Sequence, residues 1–204
     1  MGGFGVLTGP EFGVTIHGRS DAAVFIFMIG KSSIFLIGPM GSGKTAVGRQ
    51  LARMLDLEFI DSDVEIEART GVDIPLIFEK EGEAGFRERE QEAIQALTAR
   101  EGIVLATGGG AVLREANRKH LSERGCVVYL QTSVDQQLER TRHGRQRPLL
   151  YTSDPKAKLS ELLAQRLPLY EGTADLIVST DGRRVQAVAE EILQLLAARK
   201  NPPC

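Results

Sequence analysis

The stretch Gly38-Pro39-Met40-Gly41-Ser42-Gly43-Lys44-Thr45 constrains this chain more than any other. Its spacing, G-x-x-x-x-G-K-T, is the Walker A pattern, which cradles phosphate groups when it joins a strand to a helix. Both flanks fit. The run Ser33-Ile34-Phe35-Leu36-Ile37 is short, apolar and partly β-branched, as a buried parallel strand should be. After the loop, Val47, Leu51 and Leu55 recur at helical spacing with Arg49, Gln50 and Arg53 between them. Glycines let the backbone turn its N–H groups inward with no Cβ in the way. The helix N-terminus adds a partial positive charge. Gly41, Ser42, Gly43 and Ala46 are therefore expected at the phosphates, with Lys44 bringing a mobile full charge to the β- and γ-phosphates. The Thr45 hydroxyl suits Mg²⁺, a cation that prefers oxygen ligands. The bland alternative is an ordinary glycine turn before a helix, which would not need the whole pattern.

The 204 residues suffice for one sizeable core and not for two. Charged residues make up 25% and net charge is −2, so no overall basic field invites nucleic acid, and no basic–aromatic stripe is present. The cysteines, Cys126 and Cys204, are far apart and suggest neither a disulfide nor a metal site, which fits a reducing cytosol. His17, His120 and His143 form no ligand pattern. The stretch before Met28 is glycine-rich and then briefly apolar (AAVFIFMIG), too short to span a membrane and without the marks of a signal peptide. Residues 1–30 are expected to be an irregular extension outside the core, with an extra edge strand as the competing reading; 31–200 form a single domain, and 201–204 a tail. No exposed apolar stripe demands a dimer, so a monomer is expected.

Further strands are read at Glu58–Asp61, Gly102–Ala106, Cys126–Leu130 and Leu176–Ser179. Helices are read at Val64–Arg69, Ile74–Lys80, Glu83–Arg100, Arg114–Glu123, from Ser133 (a capping-box start), Asp154–Tyr170 and Val185–Arg199. Five short strands alternating with helices predict a three-layer α/β fold, a parallel sheet flanked by helices. In such sheets ligands sit beyond the carboxyl ends of the strands. The glycine loop, Asp61-Ser62-Asp63 and Gly108-Gly109-Gly110 all fall at such ends and should share one crevice.

Asp61 and Asp63, two apart, share a face if the segment is extended. One can serve Mg²⁺, and the other can orient an acceptor hydroxyl or take its proton. Helix capping by Asp63 is the structural alternative. The strand before the triple glycine ends in Ala106-Thr107 without a carboxylate, so Asp61 must cover the metal role. Three glycines let a ligand lie against bare backbone. Arg87 sits beside the apolar stripe of its helix, and Arg166 lies on one with Leu159, Leu163 and Tyr170. A guanidinium there needs an anion, and a pair of them suits a carboxylate. Arg147, in the basic, turn-rich segment from Arg142 to Asp154, suits a mobile lid over a transferring phosphoryl group. The residues alone thus describe a small phosphotransferase with an anionic, hydroxyl-bearing acceptor.

The segments GPMGSGKT, FIDSD, GEAGFRERE, LATGGGAV, RPLL and RLPLY, in this order, resemble the shikimate kinase family over about Ile34 to Leu196. The resemblance implies a P-loop kinase fold with a lid at about 142–154. It implies transfer of the γ-phosphoryl of ATP to the 3-hydroxyl of shikimate, in chorismate and aromatic amino-acid biosynthesis in the cytoplasm. By the same resemblance, Thr45 and nearby Asp61 serve Mg²⁺, and Asp63 meets the shikimate hydroxyls and assists proton removal. Arg87 and Arg166 hold the carboxylate, and Gly108, Gly109 and Gly110 line the pocket. Lys44 and Arg147 reach the transferring phosphate, Arg140 lies at the adenine, and Arg183 is a weaker adenine-side match. Pro75, near the substrate-side helices, departs from the pattern. Two alternatives compete with this reading: another small-molecule kinase on this fold, such as a gluconate-kinase-like enzyme, and a nucleotide-binding module without catalysis. The first would leave Arg87, Arg166 and the glycines without a shared explanation. The second should have lost Lys44, Thr45, Asp63 or a lid arginine.

Overall fold

Short segments of four to six residues, mostly apolar, build a five-stranded sheet: β1 Ile34–Ile37, β2 Glu58–Asp61, β3 Ile103–Ala106, β4 Cys126–Gln131 and β5 Leu176–Ser179. The computed structural model describes residues 33–142 and 153–200. The N-terminal extension, Arg147 and most of the expected lid lie outside them. All strand pairs are parallel, in the order β2-β3-β1-β4-β5. The glycine loop leaves the end of β1 and the triple glycine leaves the end of β3, its neighbour, so both open onto one crevice.

Every side chain of β1 is buried, because helices cover both faces of the sheet. Ile34 and Leu36 point to one face, with Val47 and Leu51 of α1 (Lys44–Leu55) and Val188 and Ile192 of α7 (Val185–Lys200). Phe35 and Ile37 point to the other, with Ile94 of α3 (Ile74–Leu97), Leu121 of α4 (Glu115–Arg124) and Tyr170 of α6 (Pro155–Thr173). The alternation of a strand thus separates two cores. A third, smaller cluster of Ile66, Ile77, Phe86 and Ala93 joins α2 (Ser62–Thr70) to α3. The seventh helix of the described residues is α5, Val134–Thr141. None of these helices is long and apolar enough to cross a membrane.

Local signals explain most boundaries. Asp73 caps α3 by accepting from Leu76 N at 3.0 Å, and Pro75 falls in the first turn, where a missing N–H costs nothing. Gly82, at φ 70° and ψ −175°, breaks α3 between the two helical stretches expected there. Asp154 caps α6 by accepting from Ala157 N at 2.9 Å. The capping box at Ser133 is half formed: Ser133 Oγ accepts from Gln136 N, but Ser133 N donates to Asp181, across the fold, rather than to Gln136. Gln136 instead accepts from Gly182 N, which ties the α5 N-terminus to the loop after β5.

Candidate active site

The loop after β1 needs its glycines. Gly38 has φ 142°, and a Cβ there would lie 2.6 Å from Leu130 O, so a side chain is excluded by conformation and by space. Gly43, at φ 88°, precedes α1 without any side-chain cap, which leaves the helix N-terminus facing the loop rather than a side chain of its own chain. Lys44 folds back over this turn. Its Nζ donates to Gly38 O and Pro39 O, each at 2.7 Å, and to Ser42 Oγ at 3.3 Å. The ammonium is thus poised at the mouth of the loop, among carbonyls that it can exchange for phosphate oxygens. Gly41 and Ala46 complete the cradle, Gly41 against α5 and Ala46 in the first turn of α1.

Thr45 Oγ1 donates to Asp61 Oδ2 at 2.8 Å. Two hard oxygen donors side by side, next to a phosphate-binding turn, fit a Mg²⁺ ion that keeps most of its waters. Asp61 pairs in register with Ala106, so it supplies from β2 the carboxylate that the end of β3 lacks. Thr107, just beyond that end, instead donates from N and Oγ1 to Leu36 O, both at 3.1 Å, and pins β3 to β1.

The geometry of the acidic pair differs from expectation. The segment is not extended across both residues: β2 ends at Asp61 and α2 begins at Ser62. Asp61, not Asp63, is the N-cap, accepting from Asp63 N at 3.1 Å. Capping therefore occupies one oxygen of Asp61 and leaves the Asp63 side chain to the crevice.

Asp63 meets the triple glycine there. A Cβ at Gly108 would lie 2.8 Å from Asp63 Oδ1 and 2.6 Å from Glu90 Oε1. A Cβ at Gly110 would overlap the Arg87 guanidinium. Gly109 O accepts from Arg166 Nη1 at 3.3 Å and from Tyr170 Oη at 2.5 Å. On its other side Gly109 backs onto the nucleotide loop, its Cβ position 3.3 Å from Met40 N. Asp63, Arg87, Arg166 and the three glycines, widely separated in sequence, thus surround one point. Ser62 Oγ fixes it from below by accepting from Gly108 N at 3.0 Å.

The two arginines are almost wholly buried, Arg87 at 7% and Arg166 at 4% exposure. The charge is balanced mainly by Glu90, fully buried, whose Oε2 accepts from Arg87 Nη1 at 2.5 Å. Glu83 adds a half-exposed contact to Arg87 at 3.1 Å. Burial alone would lower the Arg87 pKa, but the Glu90 and Glu83 carboxylates turn the net direction upward, so the guanidinium stays charged. Burial pushes the Glu90 carboxyl above the usual range, opposed by Arg87 and more weakly by Arg166. Both directions express one fact: a single carboxylate shares a dry site with two guanidiniums. Glu90 Oε1 and Arg166 Nε have no hydrogen-bond partner among the described residues. Two buried guanidiniums with unfilled hydrogen-bonding capacity, beside a carboxyl that burial pushes toward its neutral form, are what a small anionic ligand with hydroxyls would complete.

Glu90 and Ser62 were not singled out in the sequence. Glu90 lies one turn from Arg87 on the apolar face, and the rule that flagged Arg166, that a buried charge needs a partner, would have flagged it as well. Ser62 gave no signal beyond its place between two aspartates. Gly108→Ala is expected to raise the acceptor KM or lower kcat by about tenfold or more, as a Cβ forces Glu90 and Asp63 apart, while ATP KM moves little. Initial rates against each substrate in turn check this.

At the other end of the loop, Arg140 donates from Nη1 to Gly41 O at 3.1 Å and from Nη2 to Thr180 O at 2.8 Å. It bridges the nucleotide loop to the segment after β5. Arg183 sits in that segment, but its guanidinium is turned to Glu191 of α7 and to Ser179 O. The structure therefore brings Arg140 to the nucleotide loop and gives Arg183 a bracing contact between β5 and α7.

Known proteins point the same way. The sequence profile described as "Shikimate kinase" matches residues 40–197. A shikimate kinase of Halorhodospira halophila is 60% identical over 165 residues, which cover 81% of this chain and 93% of that one. Among solved structures, shikimate kinase from Acinetobacter baumannii in complex with shikimate superposes with a TM-score of 0.83 at 49% identity, covering 86% of this chain and 98% of that one. A gluconokinase from Sinorhizobium meliloti shares only the fold, at TM-score 0.52 and 19% identity over 83% of this chain and 94% of that one. With the profile spanning most of the chain and the acceptor-side motifs in register with the site geometry, the chain belongs to the shikimate kinase family.

Proposed function

We propose that this chain transfers the γ-phosphoryl group of ATP to the 3-hydroxyl of shikimate, releasing shikimate 3-phosphate and ADP. The observation that carries the acceptor half is the closing of Asp63, Arg87 and Arg166 around the bare backbone of Gly108 to Gly110. A ring carboxylate answers the two guanidiniums, and ring hydroxyls answer the Asp63 carboxylate. Family membership supports ATP as the donor, and the glycine loop with Lys44 supports the same reading.

In this reading Gly41 to Ala46 hold the phosphates through the loop and the helix N-terminus. Lys44 exchanges Gly38 O and Pro39 O for phosphate oxygens and offsets the charge that builds on the β–γ bridge. Thr45 and Asp61 hold Mg²⁺, which when bound neutralises phosphate oxygens. Asp63 orients the acceptor hydroxyl and takes its proton as the oxygen forms its bond to phosphorus; the bond from phosphorus to the β–γ bridging oxygen breaks, and ADP leaves. Arg87 and Arg166 fix the acceptor's carboxylate, which converts a chance encounter into a held geometry. Arg140 serves the adenine end; Arg183, engaged with Glu191, supports that end at one remove. Arg147 lies outside the described residues, and its place on a closing lid over about 142–154 rests on the family resemblance. A monomer working in the cytoplasm belongs to the same proposal.

The test is ADP release from ATP and Mg²⁺ with shikimate, quinate, gluconate or no acceptor. The expected result is fast release with shikimate alone, reduced to the acceptor-free background when a chelator removes Mg²⁺. Equal release with gluconate, or release independent of any acceptor, would contradict it.

A further inference from the structure

Two tyrosines stack beneath the triple glycine, and only one of them reaches it. The rings of Tyr129, on β4, and Tyr170, on α6, lie 5.0 Å apart at 18°, and both side chains are fully buried. Tyr170 Oη donates to Gly109 O at 2.5 Å. Tyr129 Oη has no hydrogen-bond partner among the described residues. A buried phenol usually finds a partner, so the pair offers a matched contrast: one hydroxyl engaged at the site, one not.

The engaged hydroxyl meets the site at a sensitive point. Gly109 O also accepts from Arg166 Nη1 at 3.3 Å, and a carbonyl oxygen has two lone pairs for two such donors. Arg166 and Tyr170 are one helical turn apart on α6, so both reach the same oxygen from one rigid element. The peptide that carries this oxygen has no side chain to hold it. The turn's own backbone bonds hold its neighbours, Ala111 N donating to Gly108 O at 3.2 Å and Leu113 N to Gly110 O at 3.0 Å, and Ser62 Oγ holds Gly108 N, whereas Gly109 O is held by the two α6 donors. Burial pushes the Tyr170 phenol well above its usual pKa, so it remains a donor throughout the working pH range.

We infer that Tyr170 is a positioning residue for acceptor binding: its hydroxyl anchors the Gly109 carbonyl and so holds the Gly108–Gly110 backbone and the Arg166 guanidinium in the arrangement that receives the acceptor's carboxylate. This rests on the acceptor reading given above. Tyr170 does not touch the acceptor; it acts through the Gly109 carbonyl, which it shares with Arg166. Without the phenol, Arg166 alone holds the carbonyl, at the longer distance, and the guanidinium is drawn between the peptide and the ligand.

The experiment compares Tyr170→Phe with Tyr129→Phe, reading Tm, kcat and the KM for each substrate. Tyr170→Phe is expected to raise the shikimate KM about tenfold, the effect of one lost hydrogen bond, with ATP KM within about twofold of the parent. Tyr129→Phe, which keeps the stack and loses a hydroxyl without a partner, is expected to leave all three constants unchanged. A double-mutant cycle adds the decisive reading: in an Arg166→Ala background, Tyr170→Phe should change the shikimate KM by less than about threefold, because the group it positions is gone. Should Tyr170→Phe not fold, 4-aminophenylalanine at position 170, which keeps the ring and a weaker N–H donor, is read in its place with a smaller rise expected. An unchanged shikimate KM, equal rises in both KM values, or full additivity with Arg166→Ala would each overturn the inference. Failure of the acceptor reading itself is distinguishable, since shikimate would then not be turned over by the parent enzyme.

Discussion

Asp63→Asn is expected to lower kcat by about 100-fold or more while leaving the ATP KM close to its parent value. The change is nearly isosteric, so the fold should survive it. The structural task at this junction, capping α2, belongs to Asp61 and uses only the backbone N of residue 63. What is lost is a carboxylate beside Gly108, the group to which the proposed function assigns the acceptor hydroxyl and its proton. An amide can still donate and accept hydrogen bonds, so acceptor binding falls less than turnover. Single-turnover and steady-state rates measured together separate the two. Near-normal kcat in a correctly folded Asp63→Asn would remove the proton-accepting role.

Arg166→Ala is expected to weaken acceptor binding by about 3 kcal/mol, roughly 100-fold in shikimate KM, as for loss of a charged hydrogen-bonding partner in a dry site. The guanidinium is 4% exposed and its Nε has no protein partner among the described residues, so the cost of burying it is offset largely when an anion arrives. Its removal also takes away one of the two cations near Glu90, whose carboxyl is already raised by burial, and pushes that carboxyl further toward its neutral form. Arg166→Lys should recover only part of the loss, because a single ammonium cannot present the planar fork. Unchanged shikimate KM in Arg166→Ala would take this residue out of the acceptor site.

Much of this was legible in the sequence because the signals are local. The three central strands, β1, β3 and β4, are nearly continuous apolar runs bounded by turns, and burial on both faces makes such runs conspicuous. The nucleotide loop follows from glycines at fixed offsets whose backbone angles, such as φ 142° at Gly38, other residues avoid. Arg166 was legible because a charge on an apolar helical face is an exception that demands a partner.

The rest depends on contacts between distant segments. Periodicity cannot say that β2 would hand over to α2 between Asp61 and Asp63, which decided that Asp61 and not Asp63 is the cap. Glu90 lies among the apolar residues of its helix beside Arg87, where periodicity alone assigns it no role, although it is the buried counter-charge of the site. Tyr170 read as core, and is core, yet its hydroxyl ends on the Gly109 carbonyl 61 residues away in sequence. Arg183 matches a family position from a polar loop, and a sequence alone does not show that its guanidinium also pairs with Glu191.

The most direct test of the central claim is the position of the transferred phosphate. The product formed from shikimate, ATP and Mg²⁺ is to be isolated and the phosphorus–proton coupling read by NMR. The account predicts one product, phosphorylated on the 3-hydroxyl, in amounts equal to the ADP released. Phosphate on another hydroxyl, or ADP accompanied only by inorganic phosphate, would contradict the placing of Asp63 at the reacting oxygen and of Arg87 and Arg166 at the carboxylate.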